Sequence, residues 1–223
     1  MEIIDKAKKE NRTLLSEHES KQILRNYNIP VTRELVVERR EDLAEATGEI
    51  GFPLVLKGCA ADISHKTEMS LIRTDVRNDE EAITAFDEIM ANMQGTDGAV
   101  LVQEMVQGKR ELVVGLTRDP QFGPCVMFGL GGIFTEILKD VTFRVAPLDK
   151  ADALDMMQEI KGHKILEDVR GMDAVDLDQL GDILVNVSKI GVENEDIKEI
   201  DINPVILSGG KGVAVDALVV LTE

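Results

Sequence analysis

Phe52-Pro-Leu-Val-Leu-Lys-Gly-Cys-Ala-Ala-Asp-Ile-Ser-His-Lys-Thr-Glu68 is the stretch on which the fold and chemistry of this 223-residue chain turn. An apolar run ends in a cation, Lys57. Gly58 follows, and then a short polar loop presents His65, one of only 3 histidines. A lysine at a strand end can hold nucleotide phosphates, and a neutral imidazole on a loop can accept a phosphoryl group. Each residue alone also has an ordinary explanation: a lysine ending a strand at the surface, or a solvated or packed histidine. His65 stands apart by its company, since Asp62, Ser64, Lys66, Thr67 and Glu68 surround it and Lys57 lies just upstream. Phosphoryl transfer to its ring needs a cationic surround and a carboxylate to fix the tautomer, for which Asp201 is a candidate. His18 and His163 take the ordinary reading.

Outward from this stretch the chain alternates strands and helices irregularly. Ser16-Glu-His-Glu19 reads as a capping box opening a helix with Ile23, Leu24 and Tyr27, which Asn28-Ile-Pro30 stops. A strand near Glu34–Val37, a helix over Glu41–Ile50 and the Pro53–Lys57 strand follow. After the His65 loop come a strand near Leu71–Val76, a helix with Ala82, Ile83, Phe86, Ile89, Met90 and Met93 at helical spacing, and a buried strand at Ala99–Met105. Gln107-Gly-Lys-Arg110 looks like a hinge. The second half holds strands at Glu111–Thr117 and Cys125–Phe128 around the turn Arg118–Pro124, then helices over Lys150–Gln158 and Leu177–Ile190. Strands at Ile197–Ile202, Val205–Leu207 and Val213–Val220 close it, with a hairpin turn at Ser208-Gly-Gly-Lys211. The repeating rhythm of a doubly wound sheet is absent. The pattern predicts an α/β protein of two α+β lobes around a cleft, with 1–30 as a helical segment, 31–106 as one subdomain and 107–223 as the other.

Two further constellations carry chemistry. Gly129-Leu-Gly-Gly-Ile133 is a glycine-rich loop that can aim N–H groups at an anion, and Thr135, Glu136, Lys139, Asp140 and Arg144 follow it closely. Many such glycine runs are merely tight turns. In Glu199-Ile-Asp-Ile-Asn-Pro204, residues 199, 201 and 203 share one strand face while Ile200 and Ile202 turn to the core. If the hairpin folds back, Asp216 comes near Asn203, and hard oxygen donors so grouped suit Mg²⁺. The alternative is an acidic sheet edge that blocks aggregation.

Composition narrows the classes. Hydrophobic content of 43% and charged content of 30% are those of a globular domain. A net charge of -17 opposes general affinity for nucleic acid or anionic lipid, and 3% aromatics with no tryptophan offer no stacking platform. No apolar run approaches the ~20 residues of a membrane-spanning helix, and the charged N-terminus has no signal-peptide core, so no membrane role and a cytoplasmic location are expected. Cys59 and Cys125 lack metal-ligand spacing and read as buried free thiols.

From Leu15 to Val220 the chain resembles the β subunit, or ATP-grasp region, of ADP-forming acyl-CoA synthetases. The blocks that carry the resemblance are Phe52–Lys66, Asp201–Pro204 and the long run from Arg118-Asp-Pro-Gln-Phe-Gly-Pro to Phe143-Arg-Val-Ala-Pro147. The Asn203-to-Asp216 spacing also resembles that of succinyl-CoA synthetases. The resemblance implies an ATP-grasp fold and the reaction acyl-CoA + ADP + phosphate ⇌ acid + CoA + ATP, shared with an α subunit that binds CoA and bears its own phosphohistidine, in an α₂β₂ assembly. It implies that His65 takes the phosphoryl group and delivers it to ADP, steadied by Asp201. Lys57 would hold the α/β phosphates, Glu104 and Val106 the adenine hinge, Glu111 the ribose, Asn203 and Asp216 Mg²⁺. Arg144 and Lys139 would neutralise phosphate charge. One departure is Met69-Ser70-Leu71, where the family often carries two glycines after the loop histidine. The alternative function is a non-catalytic nucleotide-binding regulatory module of the same fold.

Overall fold

The structure is a computed structural model that describes residues 1–60, 70–93, 98–132, 140–168 and 171–222. The elements in chain order are α1 (Glu2–Lys9), α2 (Glu17–Asn26), β1 (Glu34–Val37), α3 (Leu43–Ile50), β2 (Leu54–Cys59), β3 (Ile72–Val76), α4 (Asp79–Asn92), β4 (Ala99–Glu104), β5 (Arg110–Asp119), β6 (Gly123–Leu130), β7 (Val141–Val145), α5 (Lys150–Glu159), α6 (Leu177–Glu193), β8 (Ile197–Ser208), β9 (Lys211–Ala214) and β10 (Leu218–Leu221). They form two compact units. The smaller comprises Ser16–His18 and Thr32–Met105; the larger comprises Met1–Leu15, Glu19–Val31 and Val106–Glu223. Residues 1–30, expected as a segment of their own, thus divide between these units, most of them in the larger one. The physical reason is burial: Ile4, Ala7, Leu15, Ile23, Leu24 and Ile29 belong to the larger unit's core.

In the smaller unit four antiparallel strands lie in the order β1-β4-β2-β3. Leu54, Leu56, Val100 and Val102 pack with Leu43, Ala46 and Ile50 of α3 and Ala82, Phe86 and Ile89 of α4. Period-2 alternation therefore turns Val55, Lys57 and Cys59 to the other face of the sheet. Asn78 caps α4 by accepting a bond from Glu81 N at 2.9 Å, as its position before an acidic first turn favours.

In the larger unit β10-β8-β5-β6-β7 form an antiparallel sheet, with β9 also on β8. Its core joins Leu112, Val114, Leu116, Val126, Phe128, Ile200 and Ile202 to Leu180, Ile183, Leu184, Val187 and Ile190 of α6. Arg118 donates to the carbonyls of Ile197, Gly191 and Asn194, tying the end of α6 to the sheet. Buried Arg110, expected in a hinge, instead opens β5 and donates to the carbonyls of Ile165, Glu167 and Asp173.

Three features differ from the sequence pattern. β8 runs unbroken through Pro204, where two strands were expected. The β5–β8 register shifts between Leu112 and Val114, and a bulge there accommodates a residue with no N–H to donate. The expected last strand, Val213–Val220, splits into β9 and β10 around residues 215–217. β7 is a strand that the sequence pattern does not mark, Arg144 being the one residue in it that stands out there.

Candidate nucleotide site

On β2, Lys57 is neither at a strand end nor at the surface. Its side chain is 5% exposed, and Nζ donates at 2.7 Å to Oε1 of Glu17, whose carboxylate is itself 1% exposed. The next residue, His18, places Nδ1 2.9 Å from Glu34 Oε1 on β1, so two successive side chains pin 16–18 to the small sheet. Glu104 ends β4 with both carboxylate oxygens engaged: Oε1 accepts from Arg33 N at 2.8 Å and Oε2 from Arg33 Nε at 2.9 Å. Its side chain is thus a brace, both oxygens committed to Arg33 within the smaller unit. Neither Glu17 nor Arg33 stood out in the sequence. Glu17 read as part of a helix cap, and its pairing with Lys57 spans 40 residues. His65, its neighbours Asp62 to Glu68, and Lys139 lie outside the described residues.

In the larger unit the glycine run is required by contact. Gly131 N donates to Glu111 O at 2.8 Å, and a Cβ at Gly131 would lie 2.8 Å from the backbone of Glu111 and Leu112. Gly132 has φ +63, and a Cβ there would lie 2.6 Å from Glu111 Oε2. Exposed Glu111 therefore sits against the loop, with Val106 half-buried a few residues before it. Asp140, expected among the polar residues of a site, is buried instead and accepts from Lys161 N and Gly162 N, each at 2.7 Å. Arg144, on β7, pairs with Glu159 of α5, whose other oxygen accepts from Thr142 Oγ1 at 2.8 Å. Its charge is used inside this unit, which competes with the phosphate role expected for it.

The third constellation keeps the strand alternation expected of it. Along β8, Ile200 and Ile202 are buried, Glu199 and Asn203 exposed and Asp201 half-buried. From Ser208 to Glu199, β8 carries β9 and β10 in one register, with Val205 opposite Ala214 and Asp201 opposite Leu218. Continuing either ladder sets Asn203 opposite Asp216, and Val215 N still donates to Pro204 O at 3.0 Å beside it. Asp201 lies between Gly115 on β5 and Leu218 on β10, neither of them polar. Its carboxyl is held above the usual carboxylate range, first by burial and then by the negative charges of Glu199 and Asp216. Among the described residues no group of three or more His, Cys, Asp or Glu side chains is arranged to hold a metal. One amide oxygen and one carboxylate instead fit an ion such as Mg²⁺, which keeps most of its sphere for waters and substrate phosphates.

The other sequence features are quieter. Cys59 and Cys125 are free thiols, Cys59 buried and Cys125 half-buried, with burial pushing the Cys125 thiol up. His163 Nδ1 lies 3.2 Å from Ile160 O. Among the described residues no helix is long and apolar enough to cross a membrane.

Residues 6–221 match the model of the ATP-grasp domain family. The chain is 47% identical to subunit beta of the ADP-forming acetate–CoA ligase I of Pyrococcus furiosus, over 99% of this chain and 97% of that one. It is 39% identical to the ADP-forming acetate–CoA ligase I of Archaeoglobus fulgidus, over 90% of this chain but 30% of that longer one. Among solved structures it is similar to a dinucleotide-forming acetyl-coenzyme A synthetase 1 of Candidatus Korarchaeum cryptofilum bound to coenzyme A and Ca-AMPCP (TM-score 0.95, 42% identity, 99% of each chain covered). Another structure of that enzyme, with Mg-AMPPCP and a phosphohistidine segment pointing towards the nucleotide-binding site, matches at TM-score 0.88 and 43% identity, again over 99% of each chain.

Proposed function

Since this chain belongs to the ATP-grasp family, among the β subunits of ADP-forming acetate–CoA ligases, we propose that its own residues complete ATP synthesis from acyl-CoA, ADP and phosphate as follows. Lys57 holds the α/β phosphates of the nucleotide, backbone groups of Glu104 and Val106 meet the base, and Glu111 meets the ribose. Asn203 and Asp216 would hold Mg²⁺, which when bound neutralises phosphate charge. His65 accepts the phosphoryl group as the P–N bond to the partner's histidine breaks. A terminal phosphate oxygen of ADP then attacks phosphorus, the bond to His65 breaks, and the imidazole is regenerated. Asp201 steadies that imidazole.

The observation that carries this reading is the shared register of β9 and β10 on β8, which sets Asn203 opposite Asp216 and beside Asp201. The partner is an α subunit with CoA-binding and phosphohistidine domains, in an α₂β₂ complex. Support comes from the Pyrococcus relative, which is called a subunit, and from the Archaeoglobus relative, in which this segment is 30% of a longer chain. The complex is read as cytoplasmic, in keeping with its use of ATP, ADP and CoA. In the complex with its partner, His65→Asn is expected to lower ATP formation at least about a thousandfold, as loss of a covalent nucleophile does, with Mg–nucleotide binding within about twofold. Substantial residual turnover would refute the covalent role. Absence of any phosphoryl transfer to the unaltered chain would support the regulatory-module alternative.

A further inference from the structure

Glu17 is a buried carboxylate that the scheme above leaves without a task. As first residue of α2 it complements the helix dipole, but a first-turn carboxylate does so from solvent and gains nothing from being only 1% exposed. It is buried because it meets Lys57, 2.7 Å away, and both charges lie out of water in the smaller unit. A buried ion pair is a poor device for stability, since an apolar pair of similar volume serves as well or better. What the pair does provide is a fixed place for one ammonium group. A lysine is a mobile point charge on a four-carbon stem, with three N–H donors that turn freely. One bond to a rigidly held carboxylate orients the ammonium and is compatible with further bonds to phosphate oxygens. Glu17 is itself held, because His18 ties the adjoining residue to Glu34 on β1 while Glu17 reaches β2.

We propose that Glu17 is a positioning residue for nucleotide binding: it holds the Lys57 ammonium on β2 in the orientation that engages the phosphates of a nucleoside diphosphate. The proposal rests on the assignment of Lys57 as a phosphate ligand. The test is a double-mutant cycle in the full-length chain, with Mg–ADP dissociation constants from titration calorimetry and with the KM for ADP and kcat measured in the complex. Lys57→Met is expected to weaken Mg–ADP binding at least about tenfold, the scale of losing a charged hydrogen bond. Glu17→Gln is expected to weaken it by about tenfold alone but by less than about twofold in the Lys57→Met background, because its effect passes through Lys57. KM for ADP rises more than kcat falls. Glu17→Asp keeps the charge and recovers part of the affinity, which guards against a glutamine variant that folds poorly.

Equal weakening by Glu17→Gln in both backgrounds would make Glu17 merely structural and overturn the proposal. So would unchanged Mg–ADP binding in Glu17→Gln. Unchanged binding in Lys57→Met would instead overturn the assignment of Lys57 itself, a result distinct from the other two.

Discussion

The two sheets treat charge in opposite ways. On the small sheet, the face turned from α3 and α4 buries the Lys57–Glu17 ion pair and sets the buried Glu34 carboxylate against the His18 ring. On the large sheet, Glu199, Asp201 and Asn203 line one face of β8 with Asp216 across from Asn203, and the carboxylates repel one another. The first arrangement sets a buried ammonium beside a buried carboxylate. On the second, burial and the negative charges of Glu199 and Asp216 hold the Asp201 carboxyl above its ordinary value. Matched charge thus lies on the small sheet and stored repulsion on the large one.

The contrast breaks first at Asp216. Asp216→Ala is expected to weaken Mg-dependent nucleotide binding at least about tenfold, the scale on which even the outer-shell partners of a metal site act. Nucleotide titrations with and without Mg²⁺ decide it, and an unchanged Mg²⁺ requirement would remove the acidic face from the site. A smaller effect sharpens the difference at Asp201. Its carboxyl binds its proton more tightly folded than unfolded, so its contribution to stability falls as pH rises through its folded pKa and the penalty remains at neutral pH. Asp201→Asn should therefore stabilise the metal-free chain at neutral pH by about 1 kcal/mol, within the usual yield of relieving charge repulsion. The two melting curves should converge as the pH falls below the ordinary carboxylate range; a variant no more stable than the parent at pH 7 would contradict the stored repulsion. The smallest effect is expected at Arg144, whose pair with Glu159 lies in solvent and adds little to stability. Arg144→Ala should leave the KM for ADP within about twofold; a large rise would restore Arg144 to the phosphate site.

Much of this was legible in the sequence where the pattern is local. The inward row of α6, from Leu180 to Ile190, followed from helical spacing, and the split of β8 into buried isoleucines and outward oxygens followed from strand alternation. Local pattern misled where a residue's fate depends on a distant partner. Asp140 and Arg144 sat in a stretch dense with polar groups, yet one holds the turn after α5 and the other pairs across to it. Pro204 read as a strand end because nothing local shows the bulge that accepts it. Glu17 read as a cap for the same reason.

By itself the sequence determined which chemical groups are available and on which face of its own element each lies, because 2.0- and 3.6-residue periods need only neighbouring residues. Tertiary structure decided which charges are paired. An ion pair between residues 17 and 57, or an asparagine at 203 set opposite an aspartate at 216, depends on strand order and register, and those follow from how whole faces bury together.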